Sequence, residues 1–222
     1  MPVKANREYR NMKIEVREVQ NPDEEERKIV TGYASTFDEP YKLFDGEGWE
    51  YWEVVDRNAF DETDMSDVIM QYDHRGRVFA RTRNNTLEVN PDDEGLFIEA
   101  DLGGTEIGRE LYEEIRGGYT DRMSFGFTVN GELEEREKDE NGIVKFTRHI
   151  TKVGKLYDVS AVSIPANDGT SIGADAVQRS LEDARNGVIE RIEAERLHEE
   201  ELKLARRKAE IRAKALSIGG NE

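Results

Sequence analysis

The chain has 222 residues, 36% hydrophobic and 36% charged, which is enough for one sizeable domain with an appendage and too polar for a membrane span. Its 32 basic and 49 acidic side chains sum to −17, so phosphate backbones and anionic lipid repel the molecule as a whole, and neither nucleic acid nor membrane is expected as a partner. Cysteine is absent and only three histidines occur, which removes disulfides, thiolate catalysis and Cys-ligated zinc, and leaves too few ligands for a His-rich metal site. No cofactor is expected, and nucleophilic chemistry must use an oxygen or a lysine.

Ile14, Val16 and Val19 predict a first strand, closed by the turn residues Asn21-Pro22-Asp23. Ile29 to Phe37 predicts a second, whose Gly32 suggests a bulge or a close backbone approach. The stretch Asp38 to Gly48, rich in Asp, Gly and Pro, reads as a loop, followed by a short strand at Val54-Val55 and a buried one from Val68 to Tyr72. Leu87 and Val89 pair with Leu96, Ile98 and Ala100 across a turn of hairpin composition, Asn90 to Gly95. Thr105 is placed to cap a helix carrying Ile107, Leu111 and Ile115 at spacing four, stopped by Gly117-Gly118. Met123–Val129, Val144–Ile150 and Leu156–Ile164 bring the set to about eight strands. The expected fold is α+β and β-rich, a closed or nearly closed antiparallel β-barrel with flanking helices, because closure removes exposed strand edges.

The end of the chain differs in kind. From Ala176 to Leu216 there is no proline, a single glycine, and a composition of Ala, Glu, Lys, Arg and Leu that favours helix. Residues 180 to 222 carry nine basic and ten acidic side chains, so residues 1 to 179 hold 23 and 39 and nearly all the net charge. Two regions are therefore expected, a body over 1–175 and a C-terminal helical arm over 176–222. The arm's broken apolar stripe calls for a partner surface. Neither terminus carries an apolar run of signal-peptide length, so work inside a cell, or inside a particle assembled there, is expected.

Three side chains draw attention by their setting. His74 follows the buried run Val68-Ile69-Met70-Gln71-Tyr72-Asp73, so a rigid element delivers an imidazole to a turn. Ser124 lies in Met123-Ser124-Phe125-Gly126-Phe127, where a small residue beside aromatics lets other backbone come close. A serine needs a base to take its proton, and the base needs an acceptor to fix its tautomer. Asp158, a charge inside the apolar run Leu156 to Val162, is costly there without a partner, and it or His149 completes the set. Taken one by one, His149 and His198 also fit half-exposed or solvated positions, and a serine beside a glycine in a strand is most often structural.

On these residues the chain resembles the HK97-type prohead proteases of tailed phages, kin of the herpesvirus assemblins. The resemblance runs from Ile14 to Asn167 and includes Thr31-Gly32-Tyr33-Ala34-Ser35-Thr36-Phe37, Asn58-Ala59-Phe60, Asp73-His74, Met123 to Phe127, and Asp158-Val159-Ser160-Ala161-Val162-Ser163-Ile164-Pro165-Ala166. It implies an assemblin-like fold and a serine endopeptidase, assembled in the bacterial cytoplasm into the procapsid interior. There it would cut scaffold or capsid-protein propeptide and itself, with the major capsid protein and scaffold protein as partners and self-association open. Ser124 would be the nucleophile, His74 the base and Asp158 the third member, with His149 the runner-up because the herpesvirus relatives use a second histidine. Where the family often has Glu, Asp158 is one methylene shorter. A non-enzymatic acidic scaffold would carry the same charge and the same arm.

Overall fold

The computed structural model describes residues 7–16, 27–162 and 175–218. The expected continuation of the first strand to Val19, the Asn21-Pro22-Asp23 turn and the Ile164 end of the last strand lie outside them. Ten strands and two helices follow in the order β1 (Glu8–Val16), β2 (Ile29–Thr36), β3 (Tyr41–Gly46), β4 (Trp49–Val55), β5 (Ile69–Tyr72), β6 (Arg75–Arg81), β7 (Leu87–Pro91), β8 (Gly95–Asp101), α1 (Glu106–Arg116), β9 (Arg122–Lys138), β10 (Val144–Val162) and α2 (Asp175–Ile218).

The strands form one sheet in the order β3-β4-β10-β9-β1-β2-β8-β7, with β5 added to β10 and β6 to β5. This sheet is open, which corrects the expected closed or nearly closed barrel: β3 and β7 end the row without pairing to each other. Closure is not needed because the edges are blunted in other ways. Strand β7 ends in Pro91, β3 carries Lys42 and Asp45 and a register shift between Lys42 and Phe44, and β6 exposes Arg75 and Arg77.

The sheet branches at β10. This strand of 19 residues holds β4 in parallel along Val144–Ile150 and β5 in parallel along Asp158–Ala161, while its other edge runs antiparallel to β9 throughout. Likewise β1 pairs with β9 through Glu8–Lys13 and then with β2 through Ile14–Val16. Long strands shared by two neighbours thus join what would otherwise be separate sheets.

The core lies against β2, β8, β9 and β10, with Val30, Ile98, Phe125 and Leu156 wholly or almost wholly buried. Helix α1 closes part of it. Thr105 accepts a hydrogen bond from the Gly108 amide at 3.1 Å, which starts the helix. Gly108, Leu111, Tyr112 and Ile115 then fall on one stripe, and Gly118 at φ 73° turns the chain away beyond the end. Burying Leu111 and Ile115 contributes about 1.5–3 kcal/mol each. A Cβ on Gly108 would meet the Leu102 carbonyl oxygen at 2.3 Å, so only glycine allows the helix this close to the sheet.

The chain divides into two units, Met1–Leu181 and Glu182–Glu222. The described residues of the second, 182–218, are a stretch of α2 that exposes Leu197, Leu202, Leu204 and Ile211.

Candidate active site

Strand alternation sorts the residues around Ser124 onto two faces. Met123, Phe125 and Phe127 enter the hydrophobic core, and the rings of Phe125 and Phe127 stack at 4.6 Å, so Ser124 and Gly126 take the opposite face. On β10, Val159 and Ala161 belong to the same core, which puts Asp158 and Ser160 on the face of Ser124. The register agrees, with Ser160 opposite Ser124 and Asp158 opposite Gly126.

A regular strand would not place Asp158 there. Leu156, two residues earlier, is in the core, and residues two apart share a face. Between them the register moves from Leu156 opposite Phe127 to Asp158 opposite Gly126, so Tyr157 is an extra residue in a β-bulge. The bulge reverses the alternation and turns the carboxylate away from the aliphatic core.

His74 arrives from the other side of β10. Strand β5 pairs with it from Ile69 opposite Asp158 to Tyr72 opposite Ala161, and the Asp73 amide donates to the Ala161 carbonyl at 2.9 Å. Asp73 and His74 then make a two-residue turn into β6, with Tyr72 opposite Arg75 and both turn residues at positive φ, 49° and 56°. That is the backbone of the hairpin turn whose twist matches its strands, a turn that prefers Asn-Gly. A histidine in the glycine position costs roughly 1 kcal/mol, a strain kept where a side chain must be aimed.

The turn returns the imidazole onto β10. His74 Nδ1 and Asp158 Oδ1 form a hydrogen bond, with the two side chains 1% and 3% exposed. A carboxylate acceptor at Nδ1 holds the proton on that nitrogen and leaves Nε2, also buried, as the basic atom of a neutral ring. Ser160 Oγ donates to the same Asp158 oxygen at 2.8 Å. Ser124 Oγ, wholly buried, has no hydrogen-bond partner among the described residues. Burying a hydroxyl in that state costs about 1–3 kcal/mol, and native proteins keep few such groups without a reason. No hydrogen bond joins Ser124 to the imidazole in this structure; catalytic contacts in resting enzymes are often long and tighten around substrate. The three strands β5, β10 and β9 lie side by side, so His74 and Ser124 approach Asp158 and Ser160 from opposite edges of one strand, about 5 Å to either side.

The other histidines lie elsewhere. His149 is nine residues before Asp158 on β10, about 30 Å along an extended strand, with Nδ1 at 3.1 Å from Asp56 and Nε2 at 3.7 Å from Glu135. His198 sits on α2 and is exposed. Beside the His74 turn, a cleft of about 480 Å³ opens between the β5–β6 hairpin and α1, lined by Tyr72, Asp73, Arg75, Arg77 and Phe79 on one wall and Ile107, Glu110, Leu111 and Glu114 on the other.

Sequence reasoning missed a second buried polar cluster. Glu53, wholly buried in the apolar run of β4, accepts from Arg10 Nε and from Arg10 Nη2 at 2.6 Å, from the Tyr41 hydroxyl, and from Arg148 Nη1 at 3.1 Å. Arg148 also donates to Glu8 at 2.6 and 2.9 Å. Burial pushes the Tyr41 hydroxyl well above its usual range, and the Glu53 charge pushes it further. Burial also works against the Glu8 carboxylate, but the hydrogen bond and charge of Arg148, with Arg10, outweigh it and hold Glu8 below the ordinary value. The available signal was the one that exposed Asp158: an acid inside an apolar strand.

The model of the caudovirus prohead serine protease family matches residues 12–186, a span that contains Ser124, His74 and Asp158. No curated protein and no solved structure matches the chain.

Proposed function

Because the chain belongs to the caudovirus prohead serine protease family, we propose that it is the endopeptidase that matures the phage procapsid, with Ser124 as nucleophile, His74 as general base and Asp158 as the acid that holds the base. The observation that carries this assignment is the His74–Asp158 hydrogen bond on the sheet face where the Ser124 hydroxyl is buried and unpartnered. A nucleophilic serine needs a base with one fixed tautomer, and His74 alone among the three histidines has a buried carboxylate within hydrogen-bond reach among the described residues.

The chemistry follows the usual acyl-transfer course. Ser124 Oγ attacks the scissile carbonyl carbon while its proton passes to His74 Nε2. The tetrahedral intermediate collapses as the imidazolium gives that proton to the departing amine, the C–N bond breaks, and an ester to Ser124 remains. Water then attacks the ester, loses a proton to the same nitrogen, and regenerates the hydroxyl. Asp158 stays ionised and stabilises the imidazolium throughout.

The substrates are the scaffold or the capsid-protein propeptide, and the chain itself, cut inside the procapsid after assembly in the host cytoplasm. The kinship with HK97-type enzymes and assemblins rests on the sequence blocks quoted above. Residues 1–175 are the protease domain and 176–222 an arm that takes no part in the chemistry. The cleft beside the His74 turn, lined by the neighbouring Tyr72, Asp73 and Arg75, is our proposed approach for a substrate peptide. Co-expression with the cognate capsid and scaffold proteins, with and without Ser124→Ala, tests the proposal through the masses of the products. Loss of every cleavage product in the variant is expected; unchanged processing would leave the protein an assembly factor without catalysis.

A further inference from the structure

Ser160 is a buried hydroxyl that the reaction above does not use. It is wholly buried, it lies opposite Ser124 on β9 and opposite Gln71 on β5, and it donates at 2.8 Å to the same Asp158 oxygen that holds His74. We infer that Ser160 is a positioning residue of the protease: it locks the Asp158 carboxylate in the orientation that serves His74, and in doing so turns its own hydroxyl away from Ser124. The inference rests on the assignment of Ser124, His74 and Asp158 just proposed.

Two physical arguments support it. A carboxylate on one hydrogen bond is free to rotate about its Cβ–Cγ bond and offer either oxygen, since that torsion is broad. A second donor on Oδ1 from a rigid strand removes the freedom, and hydrogen bonds to an ionised acceptor are about twice as strong as neutral ones. Directly opposed residues of neighbouring strands have Cβ atoms about 5 Å apart, close enough for two serines to bond to each other. A hydrogen bond from Ser160 to Ser124 would occupy a lone pair of the attacking oxygen. Asp158, two residues along β10 and on the same face, is the stronger acceptor and takes the proton. The Tyr157 bulge puts this pair on the Ser124 face, because without it Asp158 and Ser160 would both continue the core face of Leu156.

The test uses the full chain and needs no knowledge of the cleavage sequence. A fluorophosphonate probe reports the reactivity of Ser124, located by the mass of the labelled peptide. The low-field proton resonance of His74 Nδ1–H reports the bond to Asp158. Ser160→Cys keeps the volume but offers only a weak S–H donor, whereas Ser160→Thr disturbs the packing but keeps the hydroxyl. Ser160→Cys should react about 10- to 100-fold more slowly than the parent, the factor carried by one hydrogen bond to a charged group, and its low-field resonance should move upfield or broaden. Ser160→Thr should recover most of the rate and the resonance despite a lower melting temperature. Parent-like rate and resonance in Ser160→Cys, or equal losses in both variants in step with their melting temperatures, would overturn the inference. If the parent is labelled elsewhere than at Ser124, the catalytic assignment falls instead, and the His74 resonance still decides whether Ser160 holds Asp158.

Discussion

Two buried polar clusters sit on the same long strand and are built on opposite plans. Around Arg148, in the first half of β10, Glu53 accepts from Arg10 Nε and Nη2, from Tyr41 and from Arg148, so the buried charge is surrounded by donors. Around Asp158, in the second half, the carboxylate is likewise shared, by His74 and Ser160, but the serine beside it has no partner among the described residues. The first arrangement ties β1, β3, β4 and β10 together through side chains. The second leaves the Ser124 oxygen uncommitted on the sheet face where Asp158 holds His74, the proposed base. What separates the structural ionic cluster from the proposed active site is the hydroxyl that remains unsatisfied.

The strongest way to break this comparison is Ser124→Ala. Peptide cleavage should fall by about 10⁶-fold, as when a serine nucleophile is removed elsewhere, while the melting temperature stays level or rises because a buried, unsatisfied hydroxyl has gone. Processing assays and calorimetry on the same preparation check both halves. A variant that loses stability would show that the hydroxyl has a structural partner after all. Next in size is Asp158→Asn, for which a loss of about 10⁴-fold in turnover is expected, since the amide lets the imidazole adopt the wrong tautomer. Turnover within tenfold of the parent would remove Asp158 from the site.

Much of this arrangement was legible before the fold. The hairpin of β7 and β8, the Thr105-capped helix and the strand that carries His74 all announce themselves through period and turn chemistry. Ser124 and Asp158 stand out for the same reason, polar groups in apolar runs. Other features were hidden because they depend on register. Residues 38–48 read as a loop from their Asp, Gly and Pro content, yet Tyr41 to Gly46 pair with β4. Strand β10 reads as two strands because Lys152, Gly154 and Lys155 interrupt the alternation, whereas register shifts between Ile150 and Lys155 carry one strand through. The Tyr157 bulge leaves no compositional mark, so the face of Asp158, and with it the role of Ser160, became visible only in the sheet. The barrel expectation failed because it supposed that edges must be closed, when charge, proline and bulges protect them here.

The structural cluster is tested by Glu53→Gln. Removing that charge leaves Arg10, 4% exposed, facing a neutral amide, which should cost about 3–5 kcal/mol in urea unfolding. Turnover per folded molecule should be unchanged, because β4 meets β10 only along Val144–Ile150, well before Asp158. Exchanging both partners, Arg10→Met with Glu53→Leu, should recover much of the stability, since apolar residues of similar size often replace a buried ion pair at little cost. A Glu53→Gln protein as stable as the parent would mean that the surrounding donors find other acceptors, and the contrast between the two clusters would weaken.

The smallest effect expected belongs to Glu8, at the rim of the same cluster, with its side chain 18% exposed. Its folded-state value lies below the ordinary carboxylate value of 4.5, because hydrogen bonds and charges from Arg148 and Arg10 outweigh the opposing effect of burial. The sign follows from linkage: a lowered value means that the unfolded chain binds the proton more readily. The stabilisation is therefore complete above about pH 4.5 and is lost as the pH falls through the folded-state value. Glu8→Gln should be less stable than the parent by about 1–3 kcal/mol near neutrality, and the gap should close on acidification below pH 4.5. Urea unfolding of the two proteins at several pH values measures that gap. A difference that stays constant across the range would mean that Glu8 contributes through packing and not through its charge, and that the ionic cluster ends at Glu53.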